Sequence, residues 1–440
     1  MRISKISVIN LFGIFNHVIP LNKADRITII HGPNGFGKTI LLNMINGFFS
    51  ADYSVFRSVP LQEFAIEFES GYQVKVTPRK PSGRASKQPV NLNISLWQDD
   101  KQIEKYLVKP FIPDDYDFPI AQIDDIIPEL DRVGPRTWQH MTTGEIYDLD
   151  QVVTNFGDIL GLRKKEPKWL THLRESIQTR FLETQRLLSI ARSSPYTRHQ
   201  RERPVLPAIN TYSRELAAKL QSVLADYAKL SQELDSTFPA RLVSQPRSAQ
   251  LTKPELRKRL SELDNNRLRL VEAGLLDKAA MAIDVIRPQA IDERTKSVLS
   301  VYVSDVQKKF HVFDETAARL DLFKKVINQR FQYKSITYDR DAGFVFTNSN
   351  HATLSPECLS SGEQHEIVLL YEMLFHFVPG TLFLIDEPEL SLHVAWQAEF
   401  LSDTSEIAKL ASFDVLIATH SPQIINKRWD LTVQLEGPAQ

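Results

Sequence analysis

The sequence has a single cysteine, Cys358, among its 440 residues. One cysteine cannot form an internal disulfide bond and cannot supply a cysteine-rich zinc site. The sequence also lacks any apolar stretch near the roughly 20 residues that a membrane-spanning helix needs. Its N-terminal segment alternates polar and apolar side chains, which is not typical of a secretion signal. These absences argue against secreted and membrane-spanning proteins, and we expect a cytoplasmic protein with no membrane partner.

The charges nearly cancel, with 53 Lys and Arg against 54 Asp and Glu. The net charge therefore gives no general attraction to nucleic acid or to a membrane surface. Two local basic clusters depart from this balance, one in the polar loop 79–89 and one in the Pro-rich connector 192–207. Such clusters are more often solvated surface, and a contact with phosphate is the alternative for the loop.

Alternating and helical apolar patterns predict an α/β chain. Strands are expected at 2–9 and 26–31, and a helix at 39–49. Three further alternating stretches, with a hairpin turn at Ser70-Gly71, predict an antiparallel meander. Strand patterns return near the C-terminus at 335–338, 343–347, 381–385 and 414–419.

The middle of the chain has a helical pattern. From Leu216 to Leu234, apolar residues recur at spacings of 4 and 3, which is a heptad pattern. A Pro-containing break at 238–254 follows before the pattern resumes, so a short antiparallel helical hairpin is expected. Its seam predicts coiled-coil packing, within one chain or between two chains. One more long helix is expected at 293–331.

Residues 32–39 fit the phosphate-loop pattern G-x-x-x-x-G-K-[ST], after a predicted strand and at the start of a predicted helix. Glycines allow backbone N–H groups to close around phosphates, and the helix N-terminus adds partial positive charge. Lys38 is expected to bridge the β- and γ-phosphates of ATP, and Thr39 to bind Mg²⁺. The candidate nucleotide-binding residues here are Gly32, Pro33, Asn34, Gly35, Phe36, Gly37, Lys38 and Thr39.

An apolar strand pattern at 382–385 ends in Asp386 and Glu387. A buried strand that delivers acids at its carboxyl end suits a site for a metal ion and a nucleotide. Asp386 is the candidate Mg²⁺ ligand, and Glu387 is the candidate catalytic residue that polarises the attacking water. A strand end with merely exposed acids is the alternative, and the phosphate loop makes it less probable.

Two further segments flank this strand. Upstream, Leu-Ser-Ser-Gly-Glu-Gln at 359–364 precedes a helical pattern and either binds an anion or only caps the helix. Downstream, the strand pattern 414–419 leads into His420, and an isolated histidine in that position is more often structural than catalytic.

The order of these motifs resembles the ABC-type ATPases, and it includes a loop Ser391-Leu392-His393 after Glu387. The resemblance implies an ABC-ATPase head, with a P-loop parallel-sheet core and an antiparallel β subdomain. It implies that His420 is a catalytic switch histidine. It also implies a Gln that joins Mg²⁺ to the interface, and Gln185 is the candidate for this metal ligand.

By the same resemblance, the segment 359–364 completes the nucleotide site of a second copy. Ser360 and Gly362 would contact the γ-phosphate held by the other protomer, and the candidate nucleotide-binding residues of the segment are Ser360, Ser361, Gly362 and Glu363. Two heads would thus enclose two ATP molecules, in a homodimer or a higher even oligomer.

The helical segment lies mid-chain, as in the branch related to SMC proteins and DNA-repair ATPases. The predicted parts are then an N-lobe at 1–190, a helical hairpin insertion at 191–330 and a C-lobe at 331–440. The runs E-P-E-L-S-L-H at 387–393 and A-T-H-S-P at 418–422 resemble the OLD-type and AAA-15/AAA-21 group. Three shorter segments, at 183–187, 234–239 and 273–277, resemble the ATPases of anti-phage systems of the PARIS and Septu type.

This resemblance implies an ATP-hydrolysing switch that controls a separate effector, such as a nuclease or a TOPRIM-type protein. A viral protein or DNA would be the trigger. OLD nucleases carry their own TOPRIM domain after the switch histidine, whereas this sequence ends shortly after His420 without a D-x-D motif. An SMC-like ATPase that binds DNA across its heads is one alternative. A scaffold that binds ATP without turnover is another.

Overall fold

The structure, a computed structural model, describes residues 1–79, 90–109, 120, 123–127, 130–141, 146–156, 166–182, 188–190, 205–244, 251–277, 293–376, 379–390 and 392–437. The chain divides into two units. The first comprises Met1–Leu206 and Glu372–Gln440, and the second comprises Pro207–Tyr371. The first unit is therefore built from two stretches that the second separates in sequence. The predicted three-part division, with boundaries after residues 190 and 330, stays a prediction.

Strands dominate the first part of the described chain, and helices become frequent after residue 207. The strands are β1 (Ile3–Leu11), β2 (Phe15–Pro20), β3 (Ile27–His31), β4 (Glu63–Phe68), β5 (Tyr72–Arg79), β6 (Asn91–Gln98), β7 (Lys101–Val108), β8 (Leu130–Gly134), β9 (Thr137–His140), β10 (Ile146–Asp148), β11 (Thr179–Leu182), β12 (Leu188–Ile190), β13 (Val205–Pro207), β14 (Lys334–Asp339), β15 (Gly343–Asn348), β16 (Thr353–Leu354), β17 (Leu382–Asp386), β18 (Asp414–Thr419) and β19 (Thr432–Gln434). The helices are α1 (Lys38–Ser50), α2 (Ser54–Ser58), α3 (Ile123–Ile126), α4 (Leu149–Phe156), α5 (Lys168–Glu175), α6 (Ala208–Ser244), α7 (Lys253–Glu272), α8 (Glu293–His311), α9 (Asp314–Arg330), α10 (Ser361–Phe375), α11 (Val394–Ala411) and α12 (Pro422–Ile425).

A parallel sheet in the first unit positions the candidate site. Within the described residues its strand order is β11-β17-β18-β3-β19. β3, β17 and β18 are buried along almost their whole length, which is why they appear in the sequence as continuous apolar runs. The register pairs Asp386 with Ala418 and Thr419 with His31. The carboxyl ends of these strands therefore meet at one edge of the sheet.

A second, antiparallel sheet in the same unit has the order β2-β1-β4-β5-β6-β7 among the described strands. It contains the predicted meander, with the Gly71 N–H donating to the Phe68 carbonyl at the hairpin turn. Leu41 and Phe48 of α1 share one buried cluster with Phe64 of the antiparallel sheet and Leu384 of the parallel sheet. Helix α1 therefore packs against both sheets through a continuous apolar core.

The second unit contains helices α6 to α9, the start of α10 and the sheet β14-β15-β16. Helix α8 packs against both α6 and α7. The predicted α/β fold, with a parallel-sheet core, an antiparallel sheet and a helical insertion, is confirmed. Coiled-coil packing stays a prediction. Among the described residues, no helix has the length and hydropathy that crossing a bilayer requires.

Two helix boundaries differ from the sequence prediction. Helix α6 continues through Pro239 to Ser244, so the break that was expected from 238 begins later. The predicted single helix at 293–331 is interrupted between α8 and α9, where Phe313 is fully buried. Its ring lies against Tyr227 of α6, with 4.9 Å between centroids. Apolar periodicity continues across this interruption, so the pattern alone did not reveal it.

A buried ion pair joins α9 to α10 inside the second unit. The guanidinium of Arg330 pairs with the carboxylate of Glu366, and the two side chains are only 2% and 1% exposed. Two charges removed from water stabilise each other only as a pair, because either one alone would be an uncompensated buried charge.

We expect Glu366→Ala to lower the free energy of unfolding by about 3–5 kcal/mol, because it leaves the charge of Arg330 buried without its partner. The matched control is Glu262→Ala, which removes the exposed pair with Lys258 on α7, where the side chains are 55% and 79% exposed. That control should change stability by less than about 1 kcal/mol. Urea unfolding followed by far-UV circular dichroism measures both, and equal effects of the two variants would contradict the prediction.

Candidate active site

The phosphate loop connects the end of β3 to the start of α1. Helix α1 begins where the Leu41 N–H donates to the Gly37 carbonyl at 2.8 Å. Gly35 and Gly37 have φ angles of +85° and +87°, in the left-handed region that favours glycine. A Cβ on Gly37 would also lie only 2.6 Å from Cδ2 of Leu11. The loop conformation therefore depends on glycine, and it ends at a helix N-terminus that favours anions.

Lys38, the first residue of α1, lies folded against the loop. It is 5% exposed, and its ammonium group donates to the carbonyls of Gly32 at 2.9 Å and Pro33 at 3.2 Å. These contacts fix a positive charge at the loop backbone. A compact ammonium group in this position is suited to bind a phosphate.

His17 of β2 holds the backbone of the same loop. Its Nε2 donates to the Phe36 carbonyl at 3.0 Å, and its ring stacks on Phe15 with 5.6 Å between centroids. Burial lowers the pKa of His17, although the hydrogen bond to Phe36 acts in the opposite direction. A neutral imidazole with its proton on Nε2 fits this contact.

Thr39 and Asp386 meet where α1 begins and β17 ends. The Thr39 hydroxyl lies near enough to the Asp386 carboxylate to lower the pKa of that group. Burial raises the pKa of Asp386, the Thr39 hydrogen bond and the Lys38 charge act against this rise, and the charges of Glu387 and Glu389 add to it. The Oδ1 atom of Asp386 is buried and has no hydrogen-bond partner among the described residues.

This pair fits a hard divalent cation such as Mg²⁺, which prefers oxygen ligands. A buried, unpartnered carboxylate oxygen beside a hydroxyl is a donor set of that kind. In the part of the chain that the structure describes, no group of three or more His, Cys, Asp or Glu side chains could hold a metal ion. Thr39 and Asp386 would therefore supply only part of the shell, and phosphates and water the rest. Gln185, the other predicted metal ligand, lies outside the described residues.

Glu387 follows directly after the parallel strand. Its φ angle is +44°, a left-handed conformation that is uncommon for a residue with a side chain and often marks functional sites. Its N–H donates to the Ala418 carbonyl at 2.8 Å, which fixes the backbone beside β18. Its Oε1 lies 3.6 Å from Nδ1 of His420. The structure therefore brings the two predicted catalytic residues together.

Glu389 contacts the same histidine. Its Oε1 accepts hydrogen bonds from the Thr419 hydroxyl at 2.8 Å and from the His420 backbone N–H at 3.1 Å. The same oxygen lies 3.3 Å from Nδ1 of His420. The Glu389 side chain is 7% exposed, whereas the imidazole of His420 is 44% exposed. One side of the imidazole is thus fixed, and much of the ring is accessible.

The segment 359–364 lies in the second unit and caps α10. The Ser360 N–H donates to Oε2 of Glu363 at 2.7 Å, and the Glu363 N–H donates to Oγ of Ser360 at 3.3 Å. Lys334 donates to the same carboxylate at 2.8 Å. Burial acts to raise the pKa of Glu363, but the hydrogen bonds from Lys334 and Ser360 outweigh it and lower that pKa. Ser360 and Ser361 are exposed, and so is Cys358 just before them.

The AAA ATPase domain family (AAA_15) matches residues 1–425. The chain belongs to this family. It is therefore an ATPase with a nucleotide-binding P-loop fold, as the motifs predicted. No curated protein sequence matches the chain at a significant level.

Three solved structures that are similar to this AAA ATPase share little sequence with it. The Smc head domain with an extended coiled coil bound to the C-terminal domain of ScpA, from Pyrococcus furiosus, is 12% identical, with 96% of this chain and 91% of that chain covered and a TM-score of 0.34. An SmcHead bound to the C-winged helix domain of ScpA is 11% identical, with coverages of 97% and 91% and a TM-score of 0.33. The SMC head domain from Thermotoga maritima is 12% identical, with coverages of 97% and 91% and a TM-score of 0.31.

The predicted site residues of this AAA ATPase lie in two places. The phosphate loop, Asp386, Glu387 and His420 belong to the first unit, and the segment 359–364 belongs to the second. Ser391 lies outside the described residues. Of the basic residues in the two clusters, the structure describes only Arg79. The chemical roles assigned to the individual residues stay predictions.

Glu389 and His17 were missed in the sequence. Glu389 stands in Glu-Pro-Glu at 387–389, where it resembles a solvated acid beside a turn. His17 falls in the apolar phase of β2, between the buried Phe15 and Ile19. A polar side chain in the buried phase of a strand was the available signal, because a buried polar group needs a hydrogen-bond partner.

We expect His17→Leu to weaken ATP binding by about 3- to 10-fold, because the Phe36 carbonyl loses a hydrogen bond worth about 1 kcal/mol. His17→Gln keeps an N–H donor at a similar reach and should bind within about 2-fold of the unchanged protein. Titration with a fluorescent ATP analogue measures both. Equal weakening in the two variants would show that the hydrogen bond to the loop is not what matters.

Proposed function

We propose that this AAA ATPase is an ATP-gated switch, in which two copies close around two ATP molecules and hydrolysis reopens them. One observation carries the proposal. The carboxyl edge of the parallel sheet gathers Thr39, Asp386, Glu387 and His420 beside the phosphate loop, which is the set that binding and hydrolysis of a metal-bound triphosphate require.

The loop residues bind and orient the triphosphate. Lys38 places its ammonium group against the β- and γ-phosphates, and the backbone N–H groups at the start of α1 donate to their oxygens. Thr39 and Asp386 would hold Mg²⁺, which would neutralise charge on the phosphates. Each of these groups acts on charge, so binding is mainly electrostatic.

Glu387 orients the attacking water and accepts its proton, because its carboxylate lies at the strand end next to Asp386. His420 donates a hydrogen bond to the γ-phosphate from the accessible side of its ring. In phosphoryl transfer the protein contributes mostly position and electrostatic stabilisation. The left-handed backbone of Glu387 contributes to that position, because it fixes where the carboxylate leaves the strand.

The second copy enters through the segment 359–364. Its resemblance to the L-S-G-G-Q segment of ABC-type ATPases, called the signature segment, supports a contact of Ser360 and Gly362 with the γ-phosphate of the other protomer. The exposure of Ser360 and Ser361 at the N-terminus of α10, a helix of 15 residues, is consistent with that role. A helix N-terminus favours the negative charge of a phosphate.

The sequence resemblance to PARIS- and Septu-type ATPases supports the biological setting. In this proposal the switch controls a separate effector, such as a nuclease or a TOPRIM-type protein, in cytoplasmic anti-phage defence. A viral protein or DNA triggers the opening or closing of the heads.

Lys38→Ala should weaken ATP binding by about 10- to 100-fold, because a hydrogen-bonded charge on the phosphates is lost. Equilibrium titration with a fluorescent ATP analogue and a phosphate-release assay measure binding and turnover. Lys101→Ala on the exposed strand β7 is the matched control and should behave like the unchanged protein. Equal affinities of the Lys38 and Lys101 variants would contradict the assignment of the phosphate loop.

Glu387→Gln should keep ATP binding and lose about 100- to 1,000-fold in kcat, because the amide orients water but cannot accept its proton. With ATP and Mg²⁺ it should accumulate as a dimer in light scattering. Glu104→Gln, an exposed carboxylate on β7, is the control. Normal hydrolysis by Glu387→Gln would overturn the role of Glu387, and a strictly monomeric ATP-bound variant would overturn the paired heads.

A further inference from the structure

We propose that Glu389 is a positioning residue that fixes the orientation of His420 and joins it to the turn Pro388–Leu390. In this role Glu389 sets the rate of hydrolysis through His420 and does not contact the nucleotide. The inference rests on the proposed function of the site and deepens it.

The contacts of Glu389 converge on a single oxygen. Oε1 accepts from the Thr419 hydroxyl and the His420 N–H, and the Nδ1 atom of the His420 ring lies 3.3 Å away. One carboxylate oxygen thus holds both the backbone and the ring of the histidine. A partner at one imidazole nitrogen determines which nitrogen carries the proton and where the other nitrogen points. In this proposal Nδ1 carries the proton that faces Glu389, 3.3 Å away, and Nε2 lies on the opposite side of the ring.

The burial of Glu389 indicates a positioning role. The side chain is 7% exposed, and its Oε2 has no hydrogen-bond partner within the described ranges. A buried carboxylate oxygen without a partner is unfavourable for folding, and such groups in native proteins call for an explanation. The three contacts of Oε1 explain why a carboxylate is placed here, because they hold His420 at the site.

Glu387 and Glu389 have different roles in this proposal: Glu387 orients water, and Glu389 holds His420. Oε1 of Glu387 is 3.6 Å from Nδ1 of His420, and Oε1 of Glu389 is closer at 3.3 Å. Because Glu389 holds the ring and the backbone of the histidine, the Glu387 carboxylate is left to orient water. Glu387 is also more exposed, at 27% for its side chain. Without Glu389, the Glu387 carboxylate would have to orient water and hold His420 at the same time.

The backbone of Glu389 extends this connection to the surface. Nε2 of Gln397 donates to the Glu389 carbonyl at 3.0 Å and to the Leu392 carbonyl at 3.2 Å. These bonds fix the backbone at Glu389 and at Leu392, and the side chain of Leu390 is 66% exposed. Glu389 therefore contacts His420 through its side chain, and its backbone lies next to an exposed apolar side chain.

A double-mutant cycle tests the proposal, with purified full-length protein, ATP and Mg²⁺. We expect Glu389→Ala to lower kcat by about 10- to 100-fold and to leave KM for ATP within about 2-fold. In the His420→Ala background the same change should lower kcat by less than about 2-fold, because the residue that Glu389 positions is already gone. Glu389→Gln keeps an oxygen acceptor for the Thr419 and His420 donors and should recover about 3-fold or more over Glu389→Ala. Glu104→Ala on β7 is the control for loss of an acidic side chain.

Three kinetic outcomes would overturn the proposal: an equal loss of kcat in both backgrounds, a rise in KM without a change in kcat, or no difference between Glu389→Gln and Glu389→Ala. If Glu389→Ala does not fold, Glu389→Gln in the same two backgrounds decides the question, since a smaller but still background-dependent loss is expected. A loss that does not depend on the background would overturn it.

A spectroscopic measurement separates this proposal from the proposed function. In nitrogen-15 NMR of histidine-labelled protein, the His420 signals are identified by their absence in His420→Ala. Glu389→Gln should shift the ring nitrogens of His420, while Glu104→Ala should not. A shift without measurable ATP hydrolysis would reject the proposed function and keep only the contact by which Glu389 orients His420. Unchanged His420 signals in Glu389→Gln would reject the positioning role even if ATP is hydrolysed.

Discussion

Asp386 stands at the end of a strand whose other side chains are apolar and buried, and its Oδ1 lacks a partner among the described residues. Two more acids, Glu387 and Glu389, follow within three positions. Burial and this repulsion raise the pKa of Asp386, and the Thr39 hydroxyl and the Lys38 ammonium group oppose the rise. Negative charge is therefore concentrated where water is scarce, which is unfavourable unless cations lie close by. The phosphate loop and the strand ends thus form one electrostatic unit.

The surrounding fold follows from that requirement. Parallel strands can bring distant stretches of chain to one edge, and here β3, β17 and β18 do so, although some 350 residues separate the first from the others. Helix α1 begins at the same edge and is fixed by its apolar side chains to both sheets. The position of Lys38 and Thr39 relative to Asp386 is consequently set by core packing. The insertion of the second unit between the two stretches leaves this core intact.

Much of this arrangement could be predicted from the sequence because its signals are local. The phosphate loop is a run of eight residues with its own geometry, and the apolar runs that precede Asp386 and His420 are typical of buried parallel strands. Glu389 and His17 were not predicted because their partners, Thr419 and Phe36, are reached only through the strand register and the path of the loop. The interruption before α9 was not predicted either, and there Phe313 contacts Tyr227, a residue of the distant helix α6. Local patterns do not contain such long-range contacts.

The cap at 359–364 is compatible with both interpretations of the motif, as a helix cap and as a phosphate contact. Ser360 accepts the Glu363 N–H, yet its hydroxyl still has a proton to donate to a phosphate. Cys358, the single cysteine of the chain, is exposed two residues before that hydroxyl. A thiol-reactive spin label would therefore attach once per subunit, next to the signature segment and without any engineered substitution. In a symmetric pair, the separation between the two labels would report directly on how far the heads travel.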